Sequence, residues 1–365
     1  MEKSERLNNE KVDLKIFADY VEQAASDQIL SLVNHEAFEN CKIRIMPDVH
    51  AGAGCVVGFT ANLGDKIVPN LVGVDIGCGM LAAKILEVVD FEEFDNKVRQ
   101  LIPSGFSVHE NETTDVKELG LYCFNDLRKV EHLNKSLGTL GGGNHFIELN
   151  EDDYLHHWLV IHSGSRNLGL QVATIYQKKA LETCKDNVPD DLKYLTGELA
   201  EAYLHDMKIC QEWAKANREA MMNVLFENFF MDKPREDEYF HTVHNYIGED
   251  GIIRKGAISA YEGEPVLIPF NMKDGSVIGV GKGNEDWNFS APHGAGRIMS
   301  RGQAKKKLSL DTFKDQMKDV WSTTVNESTL DESPEAYKPA IQIMEALEPT
   351  VEIKNALRPV YNFKA

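Results

Sequence analysis

The sequence of 365 residues predicts an α+β fold, with a central β core surrounded by helices in one compact domain over residues 1–365. Short apolar runs broken by glycines fill residues 42–85 and 256–281, which is typical of strands joined by tight turns. Residues 167–230 are rich in Ala, Leu, Met and Lys, which favours long helices. A hydrophobic content of 42% is enough to fill a sizeable core. One alternative stays open, in which the helical block over 167–230 is an inserted subdomain.

The first hundred residues contain both helix and strand signals. An amphipathic helix is predicted from about Leu14 to Phe38, with Ile16, Ile29 and Val33 among its apolar positions. A second helix is predicted over Phe91–Ile102. The apolar runs between these helices predict four strands, at Ile43–Met46, Val56–Phe59, Leu71–Ile76 and Met80–Ile85.

The remaining elements follow in the same way. Two long helices are predicted over Asn167–Cys184 and Glu198–Phe230. The C-terminal third is expected to end in helices. One of them is indicated by Ser333-Pro334-Glu335, an N-cap followed by proline at the first helical position. The predicted strands are Phe146–Leu149, Trp158–His162, Ile258–Tyr261, Pro265–Pro269 and Val277–Val280.

Composition narrows the class of protein. The formal net charge is −19, from 39 Lys and Arg against 58 Asp and Glu, which argues against a broad polyanion-binding surface. No apolar run approaches the ~20 residues needed to span a bilayer, and Met1–Arg6 is polar. We therefore expect no secretory signal, no membrane partner and a cytoplasmic protein. The six cysteines form no CxxC pair, which predicts reduced thiols, and the absence of heptads favours a monomer.

Potential metal ligands concentrate in segments rich in glycine and histidine. Asp75 and Cys78 follow an apolar run, His162 ends another, and His145 precedes one. A carboxylate, several imidazoles and one thiolate suit Mn, Fe, Co or Zn, and a thiolate can bridge two ions. Taken singly, each residue is more often a solvated histidine or a buried core cysteine. The five segments are 46–52 (MPDVHAG), 73–79 (GVDIGCG), 141–148 (GGGNHFIE), 162–166 (HSGSR) and 293–297 (HGAGR), with a weaker sixth at His244-Asn245.

Glycines in three of these segments suggest a phosphate ligand. Consecutive glycines allow backbone N–H groups to converge on an anion without obstruction by Cβ atoms. Gly141–Gly143, Gly164 and Gly294–Gly296 each lie beside a histidine. An oxyanion and a metal ion or nucleophile would then share one site, although a flexible loop remains the alternative for the triple glycine. The GxxxxGK[ST] pattern of a P-loop is absent.

Together these segments resemble the RtcB family of RNA ligases. The ordered motifs MPDVHAGAG, VGVDIGCGM, GTLGGGNHFIEL, IHSGSRNLG, VHN, RKGA, PVLIP and HGAGR, with a lysine near the C-terminus, extend from Met46 to the last residues. The resemblance implies an RtcB-like domain and a GTP- and Mn²⁺-dependent enzyme. Such an enzyme joins RNA 2′,3′-cyclic-phosphate or 3′-phosphate ends to 5′-hydroxyl ends, in RNA repair or tRNA processing.

The resemblance also implies roles for individual residues. His293 is similar to the histidine that attacks GTP to form a covalent guanylate, which then yields an RNA 3′-pp-5′G intermediate. Two manganese ions are expected, with Cys78 as the bridging thiolate. Arg166 and Arg297 resemble residues near the RNA phosphate. The implied metal ligands are Asp75, Cys78, His145, His162 and His244, and the implied nucleotide-binding residues are Asn144, Glu148, His293, Gly294, Ala295, Gly296 and Lys364.

Three segments depart from the family pattern. Phe270–Asp274 replaces a Ser-Met-Gly segment, Ser290-Ala291-Pro292 precedes the HGAGR motif, and the stretch Ile258–Glu264 is shortened. These changes motivate an alternative function, a metal-dependent phosphatase or hydrolase that uses the same dinuclear site without ligation. A non-catalytic binding protein is the third hypothesis, but such a protein needs neither the ligand set nor His293.

The positions of the basic residues change what the negative net charge implies for RNA binding. Several lie within about fifty residues around His293, although a solvated helix face would explain Lys305–Lys307 equally well. If they line the site, recognition is focused on RNA ends, and binding to intact RNA is weak and salt-sensitive. The basic positions are Arg254, Lys255, Lys282, Arg297, Arg301 and Lys305–Lys307.

Overall fold

The computed structural model describes residues 11–87, 89–230 and 233–364, so the polar segment Met1–Arg6 lies outside the described residues. The strands are β1 Asp13–Ile16, β2 Lys42–His50, β3 Val57–Asn62, β4 Gly79–Ile85, β5 Phe146–Glu151, β6 His157–Ser163, β7 Tyr239–Val243, β8 Asn245–Ile247, β9 Ile253–Lys255, β10 Ala257–Ser259, β11 Pro265–Asn271, β12 Gly275–Gly281, β13 Ser290–Pro292 and β14 Val351–Lys364. The helices are α1 Gln23–Val33, α2 Phe91–Leu101, α3 Val130–Asn134, α4 Arg166–Thr183, α5 Gly197–Asn228, α6 Arg301–Lys307, α7 Leu310–Gln316 and α8 Ala340–Leu347.

The largest sheet has seven strands in the order β11-β12-β14-β5-β6-β4-β7. All its neighbouring strands are antiparallel. The sheet curls until its two edges meet, where the Leu267 N–H on β11 donates to Thr242 Oγ1 on β7 at 3.0 Å. Side chains from six of its strands cluster on the concave face: Met80, Ala82, Phe146, Val160, Leu267, Ile278 and Leu357. The mouth of this nearly closed sheet holds several of the candidate site residues.

Helices cover the outside of this sheet and connect it to a second one. Met221 and Leu225 of α5 pack with residues of β4, β5, β6 and α2 on the outer face. The N-terminal half of α5 and α4 instead share a core with the five-stranded sheet β1-β2-β3-β9-β8. The α+β fold class, with a central sheet surrounded by helices, is confirmed. The helical block shares its buried residues with both sheets, and the division of the chain into domains stays a prediction.

The predicted helix from Leu14 to Phe38 is wrong at both ends. Residues 13–16 form β1, which pairs in parallel with the start of β2. Leu14 and Ile16 are half-buried while Asp13 and Lys15 are exposed, so the local period is two and not 3.6. The helix itself is confined to α1, and Glu36–Phe38 is a separate 3-10 turn.

Two other local predictions are corrected. Leu71–Ile76 is not a strand, because the chain forms a 3-10 turn at Pro69–Leu71 and then a loop in which Gly73 and Gly77 have φ values of 94° and 72°. Ser333-Pro334-Glu335 begins only a three-residue 3-10 turn, so the predicted helix is absent there.

The C-terminal third contains α6, α7 and α8 but ends in a strand and not in a helix. The 14-residue β14 lies in the middle of the large sheet, between β12 and β5. Pro359 falls at a register irregularity in the pairing with β5, where a residue without an N–H is tolerated. Among the described residues, no helix combines the length and hydropathy that a membrane span requires.

Candidate active site

The loop before β4 presents Asp75 and Cys78. Its close approach to α5 requires a glycine, because a Cβ atom on Gly77 would lie 2.9 Å from the Cα atom of Gln211. Gly164 is restricted in the same way, since its Cβ atom would lie 2.2 Å from Asp75 Oδ1. The glycines in these motifs therefore allow the ligand-bearing segments to approach one another.

Two histidines point the same ring nitrogen at Cys78. The Nε2 atoms of His145 and His162 lie 3.5 and 3.3 Å from Cys78 Sγ. Their Nδ1–H groups donate to the carbonyl oxygens of Leu140 and Asn144, at 2.9 and 3.1 Å. A carbonyl only accepts, so these bonds fix the tautomer that leaves the Nε2 lone pair facing the thiol. This is the arrangement that metal-ligating histidines adopt.

The predicted ligands form two groups that share one sulfur. Asp75, Cys78 and His145 make one group, and Cys78, His162 and His244 make the other; within each, the donor atoms lie within 4.8 Å of one another. The structure thus brings together all five residues, and each group could hold one metal ion.

The protonation chemistry of this cluster fits cations. Burial lowers the pKa values of His162 and His244 well below the usual value, so both rings are neutral and able to donate a lone pair. Burial, together with neighbouring Asp75, raises the pKa of the Cys78 thiol well above its usual value. A thiolate at this position therefore requires a cation beside it.

Arg218 on α5 connects two of the ligand-bearing segments. Its Nη1 group donates to the carbonyl oxygens of Gly77 and Ser163, at 3.0 and 2.8 Å. Those carbonyls are adjacent in sequence to Cys78 and His162. Because its side chain is fully buried, Arg218 fixes the spacing between the loop and the end of β6.

His293 follows β13 and is paired with a buried carboxylate on β2. Its Nδ1–H donates to Asp48 Oδ2 at 2.7 Å, and its backbone N–H donates to the same oxygen at 3.1 Å. The ring of His293 lies 5.0 Å from that of His244, between ring centroids. The Asp48 bond leaves Nε2 as the ring nitrogen that carries a lone pair, beside the candidate metal ligands.

His293 lines a cavity of about 120 Å³ at the mouth of the large sheet. Its wall includes all seven predicted nucleotide-binding residues: Asn144, Glu148, His293, Gly294, Ala295, Gly296 and Lys364, with Phe146, His162 and His244 among the others. The departing segment contributes Phe270, Asn271 and Met272. The predicted nucleotide residues and part of the predicted metal set thus border one space.

Glu332 neutralises the basic end of this cavity. It binds the Lys364 ammonium group, Arg301 Nη1 at 2.7 Å and Arg297 Nη1 at 3.3 Å. Burial alone would raise the pKa of Glu332, but the charges of Lys364 and Arg301 lower it to about 2. Arg297 also donates to the carbonyl oxygens of Met299 and Asp331. Its guanidinium is therefore engaged by the protein on the His293 side of the site.

The pKa of Glu148 is shifted in the opposite direction from that of Glu332. Burial raises its pKa to about 7, although amide groups of Asn150 and Asn362 donate to its two oxygens at 2.9 and 2.7 Å. The Oδ1 atoms of both asparagines are buried without a hydrogen-bond partner within the described chain. Of these three residues, Glu148 and Asn362 line the cavity.

Arg166 lies on the other side of the metal ligands. Its Nη1 atom is 3.4 Å from His145 Nδ1, and its Nε–H donates to Thr139 Oγ1 at 3.3 Å. It lines a second and more open cleft that also reaches Asp75 and His145. The two arginines predicted near RNA phosphate are therefore on opposite sides of the ligand cluster.

The basic residues around His293 are dispersed by the fold. Arg254 is buried against Asp250, and Lys255 donates to the carbonyl oxygens of Ala53 and Asn70. Of the predicted basic positions, Arg297 and Arg301 are the two that line the cavity. The other positions do not line the cavity; Lys305 binds Asp331 and Lys282 binds Glu348.

Sequence reasoning missed Asp48, Arg218 and Glu332. For Asp48 a signal was present, because the residue lies in the MPDVHAG segment, which also contains the cavity-lining His50. Arg218 and Glu332 lie in stretches without any motif. The sequence did not indicate that these side chains reach the site.

The fold and this site define the chain as a candidate metal-dependent enzyme. The chain matches the family model described as "tRNA-splicing ligase RtcB" over residues 29–119 and 110–365. It is 34% identical over 349 residues to RNA-splicing ligase RtcB1 of Escherichia coli (strain ATCC 25922) and to RNA-splicing ligase RtcB of Escherichia coli (strain K12), which covers 83% of this chain and 85% of each relative. The tRNA-splicing ligase RtcB of Aeropyrum pernix is 28% identical over 401 residues, covering 82% of this chain and 83% of that protein. The chain belongs to the RtcB family.

Proposed function

We propose that this protein is an RNA ligase that joins 2′,3′-cyclic-phosphate or 3′-phosphate ends to 5′-hydroxyl ends, using GTP and Mn²⁺. The observation that supports it most strongly is the Asp48–His293 pair beside a two-group donor set that shares Cys78. A nucleophilic histidine and adjacent cation sites are what nucleotidyl transfer requires. The family relatives described as RNA-splicing ligases support the choice of RNA as substrate.

Two ions would be held by the five ligands, with Cys78 as the shared thiolate. When bound, they would neutralise charge on the phosphates and hold the reacting groups in line. One carboxylate, three imidazoles and a thiolate form a donor set that Mn²⁺ accepts. The backbone carbonyls that fix His145 and His162 would keep the ligand nitrogens aimed at the ions.

His293 would act as the nucleophile. Its Nε2 lone pair attacks the α-phosphorus of GTP, the N–P bond forms, the bond to the leaving oxygen breaks, and pyrophosphate departs. The proton on Nδ1 stays in place. Asp48 accepts a hydrogen bond from that proton and stabilises the positive charge that develops on the ring.

The remaining steps transfer GMP and release it. An oxygen of the RNA 3′-phosphate attacks the phosphorus of the histidine adduct, which frees His293 and gives an RNA 3′-pp-5′G end. The 5′-hydroxyl of the second strand then attacks the RNA phosphate, loses its proton and displaces GMP. A cyclic phosphate must first be opened to a 3′-phosphate by water.

The cavity beside His293 would bind the guanine nucleotide. Ionised Glu148 can accept hydrogen bonds from donors on the guanine edge, and Phe146 and Lys364 offer an aromatic face and a cation. The segment Gly294–Gly296 borders this cavity, where its backbone N–H groups could bind phosphate oxygens. Glu148 is therefore the residue we expect to select guanine.

Labelling with GTP tests this proposal. Incubation with α-³²P-GTP and Mn²⁺ should give a protein adduct that is labile in acid and stable in base, as expected for a phosphoramidate. His293→Ala should abolish the adduct and leave the metal content unchanged. A metal-loaded wild type that forms no adduct would overturn the ligase proposal.

The alternative is a phosphatase or hydrolase on the same site. Phe270 and Met272, from the segment that departs from the family pattern, line the nucleotide cavity, and this favours altered nucleotide use. Release of inorganic phosphate from a 3′-phosphate RNA, without an adduct or ligation, would support it. If ligation occurs, we expect a role in RNA repair; better ligation of intron-cleaved tRNA halves than of other nicked RNAs would contradict that role.

A further inference from the structure

A second cleft reaches the ligand cluster from the side opposite His293. Its floor includes Asp75, His145 and Asn144, and Asn144 also lines the nucleotide cavity. The cleft has a volume of about 810 Å³, which exceeds the 120 Å³ of the nucleotide cavity. The nucleotide cavity thus reaches the cluster at His162 and His244, and this cleft reaches it at Asp75 and His145, so a second substrate has its own approach to the cluster.

The cleft combines positive charge with exposed apolar surface. Arg166 and Lys129 line it, and α4 begins there, so helix N–H groups add positive potential. Val74 and Leu170 also line the cleft, with exposed fractions of 49% and 40%. Cations beside apolar surface match the phosphates and bases of a single RNA strand.

Phe106 is the aromatic residue at this cleft and is fully exposed, at 101%. Its backbone position is nevertheless fixed. The Gly105 N–H donates to the Gly141 carbonyl at 2.8 Å, and the Leu140 N–H donates to the Pro103 carbonyl at 2.9 Å. The segment that presents Phe106 is thus tied to the glycine-rich loop that leads to His145. A ring without contacts on an anchored segment beside a reactive site is suited to stacking on a ligand.

We propose that Phe106 stacks on a nucleobase next to the reacting RNA end and so positions that end at the Asp75 and His145 side of the cluster. This inference rests on the proposed RNA ligase function. Aromatic side chains stack on every base, so Phe106 would add affinity without sequence preference. Because Phe106 supports nothing in the fold, its contribution is separable from stability.

Kinetics of Phe106→Ala test this role. We expect an unchanged rate of guanylylation and an unchanged melting temperature, with a KM for RNA raised roughly fivefold to a hundredfold. Short 3′-phosphate and 5′-hydroxyl strands varied separately will show which end uses the platform. Phe106→Tyr should restore the KM. Tyr154 is an exposed aromatic residue in the turn between β5 and β6, and Tyr154→Ala should leave the KM unchanged.

Fluorescence gives a readout that does not require turnover. In Phe106→Trp, a short single-stranded RNA should quench the added emission, because a stacked base quenches indole. The matched variant Tyr154→Trp should show no such change. Two results together would overturn the stacking role: unchanged KM values for both strands in Phe106→Ala, and no quenching in Phe106→Trp. This holds even if the wild type forms its adduct and ligates. A role of Phe106 in docking a protein would give the same two results. Failure of the adduct itself would instead contradict the proposed function.

Discussion

Glu148→Gln should make the protein more stable and a poorer enzyme. Glu148 is 2% exposed, and its burial raises the pKa of the carboxyl from 4.5 to about 7. The folded state therefore holds this proton more tightly than the unfolded state does. The resulting stabilisation is complete below about pH 4.5 and is lost as the pH rises through 7.

The size of the effect follows from the two pKa values. At 1.36 kcal/mol per pH unit, ionising Glu148 in the folded state costs about 3 kcal/mol at pH 8. Glutamine keeps the shape and cannot ionise. Reorientation of Asn150 or Asn362 would let an orphaned Oδ1 atom accept from the new amide. We therefore expect Glu148→Gln to be more stable than wild type by about 3 kcal/mol at pH 8, and by less than about 1 kcal/mol at pH 5.

Denaturant unfolding at pH 5 and pH 8, without nucleotide, measures this difference. Glu332→Gln is the matched control with the opposite sign. The pKa of Glu332 is lowered to about 2, so its ionised form stabilises the fold above about pH 4.5 and that stabilisation is lost as the pH falls through 2. This variant should lose stability at both pH values. A Glu148→Gln variant whose stability relative to wild type does not rise between pH 5 and pH 8 would refute the reasoning. The same variant should form less adduct with GTP, because glutamine replaces one of the two acceptor oxygens of the carboxylate with an NH₂ donor.

Three further changes test the site. Asp48→Asn removes the charge that supports His293, so adduct formation should slow on the order of a hundredfold or more at unchanged metal content; an unchanged rate would exclude this role. Cys78→Ala should lose both metal ions, because both groups share its sulfur, and retention of two ions by elemental analysis would contradict a bridging thiolate. Arg218→Met should raise the Mn²⁺ concentration needed for adduct formation roughly 10- to 100-fold. An Mn²⁺ dependence equal to wild type would show that Arg218 does not set the ligand spacing.

Local patterns predicted those elements whose residues determine their own conformation. The long helices α4 and α5, and β3 to β6, lie close to their predicted positions, because their periodicity and apolar runs are local properties. The region around Leu71 failed because a proline and two glycines with positive φ override an apolar run. The segments that became β1 and β14 were missed because pairing with distant strands decides their conformation.

The residues of the candidate site also fall into two groups, those that local sequence indicates and those that only distant contacts bring to the site. Asp75, Cys78, His145 and His162 were found from residue type and position at the ends of apolar runs. The roles proposed for His244 as a ligand and for His293 as the nucleophile depend on the family resemblance. The partners that orient these groups, Asp48 and Arg218, contact them only through the tertiary fold, and no sequence spacing encodes that contact.

The large sequence separation between contacting residues of the site has a consequence for how the protein folds. Asp48 and His293 are 245 positions apart, Glu148 and Asn362 are 214 apart, and Cys78 and His162 are 84 apart. Closing such long loops costs entropy before any contact repays it, so folding should be slow and the site should assemble late. A chain caught before that last stage has neither an oriented nucleophile nor a complete cation site. On the proposed function, such a chain would consume no GTP, and nucleotide use would be restricted to chains that have finished folding.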